Sequence, residues 1–293
     1  MTRINEYYTI AEKKVKTIHI GGEKLLGKTI LVTSGKGGTG KTTVAAGLSS
    51  CLAALGRRVV CIDADVGLRN MDLTLGMSDQ VVLDFQDVLI GTASMREALY
   101  QHPKIPGLYF MAAPADIQAS HVVPEHFSEM TQALQKFCDY CFIDCAAGLS
   151  AGFALAVGSC DHAIVVSALE PSALRDATRI SELLEQREMK ETWLTLNRLR
   201  PELIAEEVLN VDDAMDMVGL PLLGLIPEDS AVIDAGNKGI PLALYGDTSA
   251  NRALLNMAKR LEGEKVPFSE KYFRAQYRLR KTVKTRKRTG GRT

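Results

Sequence analysis

The sequence 31-LVTSGKGGTGKTTVAAG-47 contains a glycine-rich turn between two apolar runs. Gly35, Gly40, Lys41 and Thr42 have the GxxxxGK[ST] spacing of a phosphate loop, which requires a strand before it and a helix after it. The predicted phosphate-binding residues are Gly35, Lys36, Gly37, Gly38, Thr39, Gly40, Lys41, Thr42 and Thr43. Loop amides and the helix N-terminus would bind phosphate oxygens. Lys41 would neutralise the β- and γ-phosphates, and the Thr42 hydroxyl would ligate Mg²⁺.

Apolar, β-branched runs alternate with helical patterns along the chain. Strands are predicted at 28–34, 57–65, 108–114, 140–146, 162–168, 191–198 and 220–228. Helices are predicted at 41–56, with Gly56 as the glycine that ends it, and at 125–137, 171–186, 211–219 and 251–263. Most of the strands are apolar throughout, as strands covered on both faces are. The pattern predicts a single α/β domain with a doubly wound, mostly parallel sheet flanked by helices on both faces.

Composition divides the chain into an acidic body and a basic end. Its 293 residues are 46% hydrophobic and 24% charged, which is ordinary for a globular protein. Residues 271–293 hold ten Lys and Arg and no acid, which leaves 25 basic and 35 acidic residues before them, a net charge of −10. We divide the chain into an N-terminal arm of unassigned role (1–26), a body (27–267) and a basic tail (268–293). We find no apolar run of ~18 residues and no secretory signal, so the expected location is the cytoplasm.

Six cysteines lie within the body. Cys138 and Cys141 have CxxC spacing, but no second pair lies at zinc-site spacing. Because the motif runs directly into the predicted strand 140–146, strand geometry should turn the two side chains to opposite faces. We expect buried, reduced thiols rather than a metal or redox site.

Three acids follow predicted strands. Asp63 and Asp65 end the run 57–65, and Asp144 lies near the end of the run 140–146. A lone Asp at the end of a strand is usually a helix N-cap. In a parallel sheet, however, ligands bind at the carboxyl ends of the strands, where a phosphate-loop protein needs an acid to hold Mg²⁺ through water. Three acids at two strand ends favour the magnesium role.

These segments resemble a known family. The stretch SGKGGTGKTT (34–43) is similar to the deviant phosphate loop KGGxxGKT of the MinD/ParA class of ATPases. The similarity continues through DADVGLRNMDLTLG (63–76), FIDCAAG (142–148), EPSALRDATRI (170–180), LNRLRPEL (196–203) and PLLGLIPEDSAVIDAGNKGIPL (221–242), and covers about residues 28–268. It is greatest with the MinD branch, whose members position the division site of bacteria. It implies the phosphate-loop NTPase fold of the SIMIBI type.

The resemblance implies roles for individual residues. Lys36 matches the signature lysine, which reaches across an ATP-sandwiched homodimer to the phosphates of the opposite subunit. Asp65 matches the residue that orients the attacking water. Asp63 and Asp144 match the acids that hold Mg²⁺-bound water, beside the direct ligand Thr42.

The resemblance also extends to the base and to partners. Asn197 and the Pro227-Glu228 segment match the base pocket, and DCAAGLSAGF (144–153) resembles a second switch that senses the γ-phosphate. Ala146 stands where the family often has Pro, a change that should leave the preceding acid in place. ATP and Mg²⁺ are the implied cofactors. A cation supplied in trans makes hydrolysis depend on dimerisation, so we expect slow hydrolysis, an activating partner like MinE and a division-inhibitor partner like MinC.

Both ends of the chain depart from the family pattern. MinD chains usually begin near the phosphate-loop strand and end in a short amphipathic helix that faces lipid, whereas here the arm 1–26 is additional and the tail is basic. At 100° per residue, one face of the tail holds Phe268, Tyr272, Ala275, Leu279 and Val283, and the opposite face holds Arg274, Arg278 and Lys281. We expect this tail to hold the ATP-bound dimer on the anionic inner face of the cell membrane. Binding of DNA, or of neither, stays open.

Three other functions stay open. A ParA-like ATPase would position cargo on DNA. A flagellar-number regulator of the FlhG type is less well supported, because residues 1–26 lack the flagellar-partner motif DQAxxLR. A non-hydrolysing nucleotide-binding scaffold would keep the phosphate loop but would not need the water-orienting role of Asp65.

Overall fold

The computed structural model describes residues 19–20, 23–24, 26–66, 68–115, 122–148, 150–200 and 209–268. In this part of the chain, eight strands form one sheet: β3 (Lys28–Thr33), β4 (Val59–Ala64), β5 (Tyr100–Gln101), β6 (Leu108–Met111), β7 (Tyr140–Cys145), β8 (His162–Ser167), β9 (Glu191–Leu199) and β10 (Leu222–Pro227). Their spatial order is β10-β9-β8-β3-β7-β4-β6-β5, and all neighbours are parallel except β5 and β6. A separate antiparallel pair joins β1 (His19–Ile20) to β2 (Glu23–Lys24).

Helices connect these strands. They are α1 (Lys41–Ala54), α2 (Met71–Leu75), α3 (Phe85–Leu89), α4 (Met95–Ala98), α5 (Pro124–Phe137), α6 (Ala151–Val157), α7 (Pro171–Glu185), α8 (Val211–Val218), α9 (Ser230–Asn237), α10 (Leu242–Tyr245) and α11 (Ser249–Leu261). Local sequence sets their limits: Asn210 and Asp213 form a capping box before α8, and Gly219, with φ of 73°, ends that helix. None of the helices described is long and apolar enough to cross a membrane.

The sheet separates two apolar layers. Alternate residues of β3 point to opposite sides: Ile30 and Val32 pack with α1 and α11, and Leu31 packs with α5, α6, α7 and α8. All three side chains are fully buried. The helices therefore cover both faces, which confirms the predicted doubly wound α/β fold. The central strand β3 lies between β7 and β8, so the chain order reverses on either side of it, and this is where such sheets bind ligands.

Most of the predicted elements are confirmed. All seven predicted strands and all five predicted helices occur, with ends that differ by a few residues, and Gly56 follows α1 with a φ of 87°. The sequence patterns missed the two-residue strand β5 and the short helices α2, α3, α4, α6, α9 and α10. Elements of two to eight residues span too few periods to give a clear hydrophobic pattern.

The body extends one residue into the segment predicted as tail. Arg260 donates hydrogen bonds to the carbonyl oxygens of Leu223 (2.9 Å), Val266 (3.0 Å) and Pro267 (3.3 Å). Its guanidinium carbon lies 3.9 Å from the centroid of the Phe268 ring, which also packs against the core. Phe268 is therefore engaged by the body, although we predicted it on the lipid-facing side of the tail. Residues 1–18 and 269–293 lie outside the described residues, so the rest of the arm and tail predictions stand untested.

The arrangement of the CxxC cysteines differs from our expectation. Cys138 and Cys141 both belong to the same core layer, not to opposite faces of the sheet. Cys138 directly follows α5, and its thiol donates to the carbonyl oxygen of Leu134 at 3.1 Å. Because β7 begins only at Tyr140, strand alternation does not govern Cys138. Both thiols are free and buried, and the hydrogen bond to Cys138 together with burial raises the pKa of Cys141.

Candidate nucleotide-binding site

The phosphate loop lies at the carboxyl end of β3 and leads directly into α1. Gly40, the last residue before the helix, has a φ of 94°, and a Cβ at this position would lie 2.3 Å from Nδ2 of Asn197. Gly35 approaches α7 so closely that a Cβ there would lie 2.4 Å from the Asp176 backbone. Gly40 is therefore required because its backbone is left-handed, and Gly35 is required because no side chain fits beside α7. The predicted strand–loop–helix arrangement is present.

Lys41 is buried at the centre of the site. As the first residue of α1 it is only 9% exposed, and its ammonium has no hydrogen bond or ion pair with any residue that the structure describes. Burial raises the pKa of Asp65 and of Asp144, and the charge of Lys41 opposes both shifts. Because the same helix end offers unpaired amides and a positive dipole end, a phosphate group fits this position.

Asp63 and Asp144 lie side by side beneath the loop. The parallel strands β4 and β7 pair these two residues directly in register. Asp63 accepts hydrogen bonds from the amides of Asp65 (2.9 Å) and Met71 (3.2 Å). Asp144 accepts a hydrogen bond from the Thr42 hydroxyl at 2.6 Å through Oδ2, while its Oδ1 is buried without a partner among the described residues. Two neighbouring strands thus bring the predicted magnesium acids together with Thr42.

The charge in this cluster favours a bound cation. Burial raises the pKa of Asp63 to about 6 and that of Asp144 to about 8, the latter despite the hydrogen bond from Thr42. A cation held through its bound water would compensate both buried acids and give the free Oδ1 of Asp144 a partner. No three His, Cys, Asp or Glu side chains within the described ranges are grouped to hold a metal directly. The arrangement therefore suits Mg²⁺, which keeps several of its waters and needs few protein ligands.

Asp65 follows β4 at the rim of the site. Burial raises the pKa of its half-buried carboxyl, and the charge of Lys41 opposes this shift. The carboxylate makes no hydrogen bond with the described residues, while its backbone carbonyl accepts from the amides of Leu68 (3.2 Å) and Arg69 (3.4 Å). The turn that follows thus fixes the backbone and leaves the side chain available to a water molecule.

Lys36 lies on the outer side of the loop, apart from the aspartates. Its side chain is 49% exposed, and its ammonium lies 3.5 Å from Oε2 of Glu170. Its carbonyl oxygen accepts a hydrogen bond from the Ser34 hydroxyl at 2.8 Å. The pair borders a cavity of about 390 Å³, which is lined by the loop, the start of α7 and the ends of β9 and β10. Lys36 is therefore at the surface, where a second molecule could reach it.

The residues predicted for the base line one pocket. Asn197, Pro227 and Glu228 border a cavity of about 200 Å³ that continues to Gly40 and Thr43 of the phosphate loop. The Asn197 amide donates a hydrogen bond to the Thr39 carbonyl oxygen at 2.8 Å, which ties the end of β9 to the loop. The pocket is thus contiguous with the phosphate site, as a nucleotide requires.

The segment predicted as a second switch contacts both neighbours of the phosphate site. The amide of Gly148 donates to the Ser34 carbonyl oxygen at 2.9 Å. A Cβ at Gly152 would lie 2.8 Å from the carbonyl oxygen of Ala64, at the end of β4. Residue 149 lies outside the described residues. A movement of this segment would therefore alter its contacts with the phosphate loop and with β4, the strand that carries Asp63.

A sequence model of the CobQ/CobB/MinD/ParA nucleotide binding domain matches residues 30–242, a range that includes every residue of the site above. The chain belongs to this MinD/ParA family. Membership confirms the resemblance inferred from the loop and its flanking segments. It also shows the nucleotide-binding fold, in agreement with the sheet order and the phosphate loop at its centre.

Individual MinD/ParA proteins match over most of the chain. The septum site-determining protein MinD of Synechocystis sp. is 40% identical over 245 residues, which cover 83% of this chain and 92% of that protein. The MinC:MinD cell division protein complex of Aquifex aeolicus contains a chain with a TM-score of 0.77 at 35% identity, covering 82% of this chain and 98% of that one. The MinD of Pyrococcus horikoshii, solved in complex with Mg-ADP, has a TM-score of 0.72 at 30% identity, covering 82% of this chain and 100% of that one.

Two residues of this MinD/ParA site had no role in the sequence analysis. Glu170 pairs with Lys36, and Arg198 lies at the border of the base pocket. A signal was present for both, because each lies within or just after a strand that ends at the ligand-binding edge. Their positions depend on contacts between distant segments, which hydrophobic patterns do not report.

Proposed function

We propose that this protein is an ATP-dependent dimerisation switch that hydrolyses ATP slowly and positions the bacterial division site from the inner face of the cell membrane. The observation that carries the proposal is that the phosphate loop and Lys41 lie at the same edge of the sheet as the in-register acids Asp63 and Asp144, where Oδ1 of Asp144 is buried without a hydrogen-bond partner among the described residues. The amides and the cation at the start of α1 would bind an anion, the two acids would bind a cation, and Mg-ATP supplies both. The 40% identity to a septum site-determining protein supports the division role.

The phosphates and the magnesium ion would be held by residues that already lie together. Lys41 and the loop amides would bind the phosphate oxygens, and Thr42 would exchange its hydrogen bond to Asp144 for the metal ion. Asp63 and Asp144 would hold metal-bound water. When bound, Mg²⁺ neutralises charge that develops on the phosphates. Asp65 would orient the attacking water, and the Asn197 pocket with Pro227 and Glu228 would hold adenine.

Lys36 would act in trans. Its exposed position and its weak pairing with Glu170 support a role in which the ammonium leaves its own subunit and reaches the phosphates of a second copy. Hydrolysis would then depend on dimerisation, and the intrinsic rate would be low. Such a device suits a timer, in which ATP controls association. An activating partner like MinE would accelerate the step, and a division inhibitor like MinC would be the cargo.

The basic tail would anchor the dimer. Two tails brought together by dimerisation bind an anionic surface far more tightly than one, so ATP would control membrane attachment. Because Phe268 packs under Arg260, the lipid contact would begin after it. The ten tail cations could also bind DNA, as a ParA-like protein would require, and the two surfaces must be tested side by side.

Hydrolysis and dimerisation can be tested with two variants and a control. Lys36→Ala should still bind ATP but stay monomeric, and Asp65→Ala should dimerise but release phosphate at least about tenfold more slowly. Asp79→Ala removes an exposed acid away from the site and should behave like the wild type. Light scattering gives the mass and a coupled assay gives the rate. Equal rates for wild type and Asp65→Ala, or dimers of Lys36→Ala at wild-type affinity, would overturn these assignments.

The membrane role requires a truncation that leaves the body intact. We would compare the full chain with a chain that ends at Phe268, by cosedimentation with anionic vesicles in ATP and in ADP. Sedimentation should require both ATP and the tail, and should weaken with salt. If the full chain ignored vesicles but bound duplex DNA with steep salt dependence, the membrane function would be wrong and the ParA-like function would replace it.

A further inference from the structure

Three residues other than glycine have a positive φ in the described ranges: Arg69 (38°), Glu188 (54°) and Arg198 (57°). This conformation is unfavourable for a residue with a side chain, and it persists where the surrounding structure enforces it, often at a functional site. Glu188 lies in the turn after α7, away from the nucleotide site, whereas Arg198 lies in β9 at the edge of the base pocket.

The neighbours of Arg198 enforce its conformation. On one side, the side-chain amide Nδ2 of Asn197 donates to the Thr39 carbonyl oxygen at 2.8 Å. On the other, the Leu199 carbonyl oxygen accepts from the Glu228 amide at 2.8 Å. Successive residues of a regular strand point to opposite faces, yet Asn197 and Arg198 both line the base pocket. The left-handed backbone is what brings the two adjacent residues to the same pocket.

Arg198 is a cation of this edge without a close acidic partner among the described residues, although its charge, after the hydrogen bond and charge of Arg200, helps to lower the pKa of Glu228. The nearby Arg200 forms a two-point ion pair with Glu228. Arg198 is exposed, and its guanidinium has no hydrogen bond or ion pair with any described residue. It borders both the base pocket and the larger cavity beside Lys36, so it stands at the mouth of the site.

We propose that Arg198 is a specificity residue whose guanidinium stacks on the purine of the bound nucleotide. A planar guanidinium stacks well on aromatic rings, and the two rings of a purine offer more surface than the single ring of a pyrimidine. The proposal rests on the proposed function, because it takes the base pocket as the site of a nucleotide. Arg198 thus selects for the base, whereas Lys41 binds phosphate whatever base is attached.

Three magnesium-loaded probes separate base contact from phosphate contact: ATP, UTP and inorganic tripolyphosphate. Arg198→Ala should weaken ATP binding by about tenfold, weaken UTP binding less, and leave tripolyphosphate binding unchanged. Arg198→Lys keeps the charge without the planar group and should recover little of the ATP affinity. Equal losses for ATP and tripolyphosphate would assign the cation to the phosphates and overturn the proposal, as would unchanged ATP binding by Arg198→Ala.

A second arm tests the backbone. Arg198→Gly removes the same side chain but accepts a positive φ, so it should melt about 2–5 °C above Arg198→Ala while binding ATP equally weakly. Glu188→Gly is the matched control, since it should gain similar stability relative to Glu188→Ala and keep wild-type ATP affinity. A glycine variant no more stable than the alanine variant would contradict the enforced conformation. A wild type that binds neither ATP nor tripolyphosphate would instead refute the proposed function itself.

Discussion

The two edges of the central sheet differ in how far the fold itself provides partners for their charged groups. At the carboxyl edge, Oδ1 of Asp144 is buried without a hydrogen-bond partner, and the Lys41 ammonium makes no hydrogen bond or ion pair with the described residues. At the amino edge, Asp161 accepts hydrogen bonds from the Thr29 amide (3.0 Å), His162 Nδ1 (2.7 Å) and Lys190 Nζ (3.1 Å). A charged group that receives its hydrogen bonds within the fold holds strands together. A polar group that the fold leaves without a partner must obtain one from a ligand.

The satisfied edge joins three strands through one carboxylate. Burial raises the pKa of Asp161, but the hydrogen bonds from His162 and Lys190 outweigh this effect and lower the pKa to about 2. The His162 ring stacks on Trp193 of β9 with centroids 5.9 Å apart. The starts of β3, β8 and β9 are thereby fixed to one another. The Asp161 carboxylate already has three hydrogen-bond donors within the fold, so we assign this cluster to stability rather than to binding.

The largest expected effect is at the unsatisfied edge. Lys41→Met should lower phosphate release by on the order of 10²–10³-fold, because it removes the cation that faces the transferred charge. The nucleotide-free protein should be about as stable as the wild type, since the lysine ammonium makes no hydrogen bond or ion pair with the described residues and methionine keeps the apolar stem. Urea unfolding without nucleotide measures this. A clear loss of stability would break the comparison, because it would show that Lys41 has a structural partner.

The opposite edge should show the opposite result. Asp161→Asn should lower the free energy of unfolding by about 2 kcal/mol, through loss of charge-assisted hydrogen bonds, and leave phosphate release unchanged. Since its folded pKa lies below the unfolded value of 3.8, the wild-type advantage should be full above that pH and fade as pH falls towards 2. Asp216→Asn, an exposed position, is the control. A stable but inactive Asp161→Asn would move this cluster into the functional site.

The same contrast explains which parts of the site could be predicted. The sequence predicts the positions of three of the site residues, because loop spacing fixes Lys41 and the end of a strand fixes each of Asp63 and Asp144. The pairing of Lys36 with Glu170 could not be predicted, since it joins two loops whose approach depends on the packing of α7 against Gly35. The position of Cys138 was wrong for a related reason: β7 begins two residues later, and strand alternation applies only from that point.

A smaller effect is expected from His102, a neutral histidine buried near the start of β6. Its Nδ1 accepts from the amides of Lys104 (3.1 Å) and Ile105 (3.0 Å), and its Nε2 donates to the Leu75 carbonyl oxygen (3.0 Å). Burial lowers its pKa below the unfolded value of 6.5. The unfolded chain therefore binds the proton first, so stability is full above pH 6.5 and falls as pH drops towards the folded pKa.

His102→Asn is the matched variant, because its amide oxygen can accept from the same two backbone amides without titrating. Unfolding free energies at pH 7.5 and 5.5 should differ more for the wild type than for this variant. Equal pH dependence would show that His102 is not held neutral. The folded protein would then carry a protonated His102 at low pH, a buried charge that the comparison of the two edges does not include.

The smallest expected effect concerns the pair that links the unsatisfied edge to the surface. Lys36 and Glu170 are both half exposed, so their attraction is worth less than about 1 kcal/mol, equivalent to at most about fivefold in an equilibrium. Glu170→Gln should release the lysine and favour ATP-dependent dimers within that limit, measured by sedimentation across protein concentration. Asp247→Asn breaks an exposed ion pair with Arg252 elsewhere and should have no effect. If Glu170→Gln weakened the dimer, the Glu170 carboxylate would itself take part in the dimer contact. The ion pair would then hold Lys36 in position for dimerisation instead of competing with dimerisation.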